Sequence, residues 1–326
     1  MAAPLSRRDL LTHSTTLAAL GLTSAAGCTE LDVLGGADTG LGAELGTWLP
    51  APETFPGRES QVGHYYSWGA DLTRIRSSPD HFQAFFRGPD QSRVDHLGID
   101  VQDVDRMFSV SFVVTVLTGD FDADTVADSL RSQGLEAAGT VDDARVFEDQ
   151  VAAAGPDAQA RPYRLAVGDS YVVEMPLGVT ELPPSTVGHL VETHAGDVQR
   201  YTEANSALDT LLDAQRKTLS ISGEVHERVG ESRADPTSGS FVGLVAQGTA
   251  VEVADDILRL QLISVFDDPD DVDREALDTY AAERARVGDS SRAPNYEHAG
   301  TTVDGRVARI VLETPIGDLP TPTSSR

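Results

Sequence analysis

Apolar and polar positions alternate along most of the chain at strand spacing, and shorter stretches repeat at helix spacing. "VGHYYSWGADL" and "FSVSFVVTVLTG" read as strands. In the second, Phe112, Val114 and Val116 share one face and Val113, Thr115 and Leu117 the other, as in a central strand covered on both sides. "DADTVADSLRSQG" predicts a helix, with Asp at its start to cap free N–H groups and Gly134 at its end. Short strands follow at 136–141 and 144–149, then a hairpin around "AVGDSYVVEM". Helices are predicted near 184–195 and 200–215, the latter with Leu208, Leu211 and Leu212 on one stripe. "DHFQAFFRG" sets Phe82, Phe85 and Phe86 on another. Strands at 217–227, 239–251 and 256–266, a helix at 271–286 and a hairpin at 295–313 complete the pattern.

Two stretches echo each other. "EAAGTVDDARV" begins at Glu136 and "EHAGTTVDGRV" at Glu297, each after a strand, an acidic turn and a helix. Asp304-Gly305 is a strong hairpin turn. The expected class is α+β, mainly antiparallel sheets with packed helices; read as a duplication, the echo implies two ferredoxin-like strand–helix–hairpin units. The expected division is a first unit at 59–216, a second at 217–314 and a disordered tail at 315–326. Residues 29–47 hold five glycines and little periodicity. They predict a flexible tether, running over 28–58 with the prolines of "WLPAPETFPG" at its end.

Charge changes the picture next. The chain carries 52 acidic against 25 basic residues, net −27, and Lys217 is its one lysine. Such a surface repels phosphate backbones, which argues against nucleic-acid partners. In concentrated salt the Debye length falls to about 3 Å, and the self-repulsion is screened. The balance fits a halophilic protein.

The first residues read differently from the rest. "SRRDLLTHSTTLAALGLTSAAGC" places Arg7 and Arg8 before a weakly apolar run from Leu10 to Leu22, too short and polar for a membrane-spanning helix. Ser6, Arg7, Arg8, Leu10 and Leu11 resemble the twin-arginine motif of Tat export signals. "AAGC" resembles a lipobox, although Ser24-Ala25-Ala26 also fits an ordinary signal-peptidase site. Together they resemble haloarchaeal Tat-exported lipoproteins. The resemblance implies a signal at 1–27, contact with the Tat translocase during export, and lipid attachment at Cys28. The membrane would then be a partner through that lipid, on the outer face of the cytoplasmic membrane. Cys28 is the only cysteine, so the body contains no disulfide, thiolate metal site or cysteine nucleophile.

Catalytic signals are weak. Asp120, Asp122 and Asp124 alternate, but a calcium loop from Asp120 would need Gly at Thr125 and Glu at Arg131. His189 and His194 lie five apart, about 500° around a helix, unlike the four-apart zinc motif. They read as surface histidines. The chain has no G-x-S-x-G elbow, phosphate loop or dinucleotide glycine pattern. No catalytic residue, metal or cofactor is nominated. His64, Tyr66 and Trp68 share one strand face and form the one candidate ligand surface. The expectation is a membrane-anchored extracytoplasmic lipoprotein without catalysis, acting as a structural or interaction module toward an unknown envelope protein or small ligand. The alternative is a solute-binding lipoprotein of a transport system.

Overall fold

The computed structural model describes residues 40–55, 65–86, 94–111, 113–148, 163–176, 182–215, 218–286 and 294–320. Its centre is a twelve-stranded antiparallel sheet in the order β11-β12-β10-β9-β8-β1-β2-β3-β7-β6-β5-β4. The strands are β1 (Tyr65–Asp71), β2 (Val104–Val110), β3 (Val114–Gly119), β4 (Glu136–Val141), β5 (Ala144–Glu148), β6 (Tyr163–Val167), β7 (Tyr171–Pro176), β8 (Ser220–Val225), β9 (Leu244–Ala254), β10 (Ile257–Phe266), β11 (Glu297–Asp304) and β12 (Val307–Pro315).

Eight helices lie among the described residues, four on each face. The front face carries α2 (Leu72–Arg76), α3 (Asp80–Phe86), α4 (Ala123–Ser132) and α8 (Arg274–Arg286). The back face carries α1 (Leu41–Thr47), α5 (Thr186–Ala195), α6 (Tyr201–Ala204) and α7 (Ser206–Asp213). Strand alternation divides the core accordingly. Met107, Leu117, Leu260 and Leu312 look forward; Phe108, Val116, Ile263 and Val265 look back.

The α+β class is as expected. The helix predicted in "DADTVADSLRSQG" spans Ala123–Ser132 and is capped by Asp122, whose carboxylate accepts from the Thr125 N–H at 2.6 Å. Four details differ. "FSVSFVVTVLTG" is two strands, not one, because Ser111 takes a left-handed φ of 54° and turns β2 back onto β3. The helix predicted over 200–215 breaks at Asn205, whose side chain accepts from the N–H groups of Ala207 and Leu208 and starts α7 afresh. The expected tether is helical from Leu41, and Leu45, Trp48, Leu49 and Phe55 are fully buried. The expected tail packs as far as Leu319, whose carbonyl meets His81 Nε2 at 2.8 Å.

The two expected units are halves of one sheet, not separate bodies. β1 pairs with β8 from Tyr65↔Val225 to Ala70↔Ser220, and each core draws on both halves. The repeat is visible in the path of the chain. β1-β2-β3-α4-β4-β5 and β8-β9-β10-α8-β11-β12 run outward from the centre in the same way, with hairpin β6-β7 inserted in the first. Both outer hairpins bulge at the same place, between Ala137 and Gly139 and between His298 and Gly300. Bulged, acidic edge strands resist pairing with other sheets.

Candidate functional site

Across the middle of the front face runs a stripe outside the apolar core. Register aligns Glu174 (β7), Thr115 (β3), Ser109 (β2), Trp68 (β1), Ser222 (β8) and Thr249 (β9) in one row. Tyr66, Glu224, Gln247 and Ser264 form the next. Strands spaced by about 4.8 Å make the first row about 25 Å long. Most of these side chains are half-buried, with Ser222 and Ser264 nearly covered.

The stripe is bonded within itself. Ser222 Oγ and Thr249 Oγ1 lie 2.7 Å apart, and the Gln247 amide donates to Glu224 Oε1. Burial pushes the Tyr66 phenol up, a hydrogen bond with Ser222 pulls it down, and the Glu224 charge raises it again. The net rise keeps the hydroxyl protonated, so Tyr66 offers a donor and an uncharged ring. Trp68 packs one side against the core. Of the three residues predicted to share a ligand face, Tyr66 and Trp68 do share it. His64, Cys28, Ser6, Arg7, Arg8, Leu10 and Leu11 lie outside the described residues.

A second cluster, on the back face, corrects the reading of His194 as a surface residue. Its ring stacks on Trp48 with centroids 3.8 Å apart and planes 4° from parallel. Tyr171 meets the pair edge-on, 5.2 Å from Trp48 and 5.6 Å from His194. His194 Nδ1 lies 2.9 Å from Thr47 Oγ1, and the Tyr171 hydroxyl donates to Asp143 at 2.8 Å. His189 is also half-buried, with Glu192 at 3.5 Å. Sequence spacing separated the two histidines correctly, but could not show that Trp48 folds back onto one of them.

Burial lowers the pKa of both histidines. Arg200 lowers that of His194 further, against Asp143; for His189, Glu192 opposes the burial. The unfolded chain therefore takes up protons near pH 6.5 while the folded chain resists them. Stability is full above that pH and declines as pH falls below it toward the folded pKa values. His194→Phe keeps a ring on Trp48 and removes one titrating group. Its unfolding free energy is expected to fall less than that of the wild type between pH 7.5 and pH 5, about the range in which histidine titrates. Parallel acid losses in the two proteins would remove His194 from the account.

Among the described residues no group of three His, Cys, Asp or Glu side chains is arranged to hold a metal. An open cavity of about 530 Å³ lies at one end of the sheet, lined by Arg74, Ser77, Glu252 and Asp255 among others. None of its lining residues belongs to the aromatic stripe, and Arg74 is already engaged with Asp71 at 3.6 Å.

The fold and the stripe define a three-layer α+β body with a polar, aromatic strip across one sheet face. No protein-family model matches the chain. No curated protein matches it. Solved structures that match include three crystal forms of TP0453. Form III is 9% identical, with 84% of this chain and 94% of that chain covered and a TM-score of 0.39. Form IV is 10% identical, with 83% and 92% covered and a TM-score of 0.42. Form I is 8% identical, with 84% and 93% covered and a TM-score of 0.41.

Proposed function

We propose that this protein is a lipid-anchored, extracytoplasmic interaction module without catalysis. The observation that carries the reading is the pairing of "SRRDLL" with "AAGC", which ends on the single cysteine, 12 residues before Gly40, the first described residue. A chain of about 12 residues reaches at most about 40 Å. A lipid on Cys28 would thus hold the body close to the head groups.

The packing of α1 supports a sidedness. It lies on the back face, where Leu41 and Leu45 join the core. The first described element thus packs on the back face, and the Tyr66–Trp68 stripe occupies the front. A body tethered by its back face presents the stripe to the medium. The acidic surface, net −27, suits a salty exterior and disfavours anionic lipid surfaces and nucleic acid as docking partners. The second reading, a solute-binding lipoprotein of a transport system, draws on the same stripe.

Cell fractionation tests the anchoring. Cys28→Ser is expected to shift the protein from the membrane pellet to the soluble extracellular fraction. Arg7→Lys with Arg8→Lys is expected to retain it inside the cell. A Cys28→Ser protein that sediments with membranes as fully as the wild type would overturn the reading.

A further inference from the structure

Most buried and half-buried carboxylates on the strands have a basic side chain close by. Asp71 has Arg106 at 3.9 Å, Glu148 has Arg164 at 2.8 Å, and Glu313 has Arg259 at 4.0 Å. Glu174 faces His96 at 3.5 Å. Glu252, pushed up by its burial, is drawn down by Arg259 and Arg309. Glu252 accepts from the neutral amide of Gln261 at 2.7 Å, and Glu224 from that of Gln247; among the described residues neither has an Arg, Lys or His within ion-pair distance, and Glu224 is the one of the two that stands in the aromatic stripe.

What surrounds Glu224 is aromatic and hydroxylic. Tyr66 is its direct cross-strand neighbour, and Trp68 stands two residues further along the same face of β1. Ser222 and Thr249 stand in the adjacent row, their hydroxyls 2.7 Å apart. A carboxylate without a counter-charge, beside two aromatic side chains, is complementary to a weakly hydrated cation, which gains from the charge and from the π-systems together. A divalent metal fits poorly, because calcium takes about 6–8 oxygen ligands and one carboxylate with one amide supplies too few. The fixed charge missing from this part of the sheet is one that a ligand can bring.

We propose that Glu224, Tyr66, Trp68 and Gln247 form a binding site for an organic ammonium cation. The proposal deepens the reading of the body as an interaction module, and rests on it, by naming the chemistry of what the stripe recognises. The carboxylate supplies the charge, Trp68 and Tyr66 supply the apolar and π surface, and Gln247 holds the carboxylate in place.

Choline is the probe. The full chain, in micelles of an uncharged sugar detergent, is titrated with choline chloride against potassium chloride at constant chloride. The two indole N–H resonances are followed by NMR. Trp68 is half-buried at the proposed site and Trp48 is fully buried on the opposite face, so each molecule carries its own control. The Trp68 signal is expected to move saturably with choline and the Trp48 signal to stay. Glu224→Gln, which keeps an acceptor for Gln247, is expected to weaken choline about tenfold. Tyr66→Phe, which keeps the ring, is expected to stay within about twofold. If Glu224→Gln does not fold, the contrast between Trp68 and Trp48 in the wild type decides alone. Choline that moves both indoles equally, or neither, or acts no differently from potassium, overturns the proposal. None of these outcomes bears on the fractionation of Cys28→Ser, so the two readings fail separately.

Discussion

Trp48→Ala is expected to lower the unfolding free energy by about 3–5 kcal/mol, as truncation of a large buried aromatic does. Trp48 is fully buried, and it fastens the segment from α1 to Phe55 onto the body. Its ring fills the space between His194 and Tyr171. Around it the backbone bridges Pro50 to Arg200, and Tyr201 N–H donates to the Leu49 carbonyl at 2.7 Å. Alanine would leave a cavity between this segment and the body, next to the buried Leu45 and Leu49. Trp48→Phe should be much milder. The indole N–H has no hydrogen-bond partner among the described residues, so phenylalanine forfeits volume and part of the stack but no bond. Denaturant unfolding of both variants in concentrated potassium chloride measures the difference. If alanine and phenylalanine were equally mild, the N-terminal segment would not belong to the cooperative core.

The same segment shows where sequence pattern stops being informative. Its glycines and prolines resemble a linker because pattern reading weighs local propensity. Leu41, Leu45, Trp48 and Phe55 bury themselves against residues far along the chain, such as Leu208, Leu211 and Val225. Nothing local announces that partner. The strands were more legible, because their apolar runs and their side-chain period of two are local signals. The stripe was half legible. Alternation placed Tyr66 and Trp68 together, but Glu224 and Gln247 lie more than 150 residues away and join them only through the β1–β8 register. The missing arginine at Glu224 is a property of pairing, and no composition or spacing reveals it. The repeat was legible because its bulge and turn residues are short-range devices that duplication preserves.

A glycine pair carried another signal, and Gly248→Val is expected to cost about 3–4 kcal/mol. Gly248 lies opposite Gly223 on β9 and β8, and their lack of side chains makes a hollow in the back face. Leu211 of α7 sits over Gly223, where a Cβ would stand 2.9 Å from its Cδ2. Gln215, just beyond α7 and fully buried, sits over Gly248 and donates to the carbonyls of Ser222 and Thr249, both at 2.9 Å. A Cβ on Gly248 would come within 2.2 Å of the Ser222 carbonyl oxygen and 2.7 Å of the Gln215 amide nitrogen. The first obstacle is backbone and cannot swing away. The second would move only by giving up two hydrogen bonds in a buried place. Glycine inside a strand reads as a site of close approach, and here two of them set how deeply α7 beds against the sheet. A double-mutant cycle with Gln215→Ala separates the two obstacles. Removing the amide should relieve part of the clash, so the pair is expected to be less destabilising than the sum of its singles by about 1 kcal/mol. Full additivity in denaturant unfolding would place the whole effect on the Ser222 carbonyl, and the seating of α7 would then be fixed by strand backbone alone.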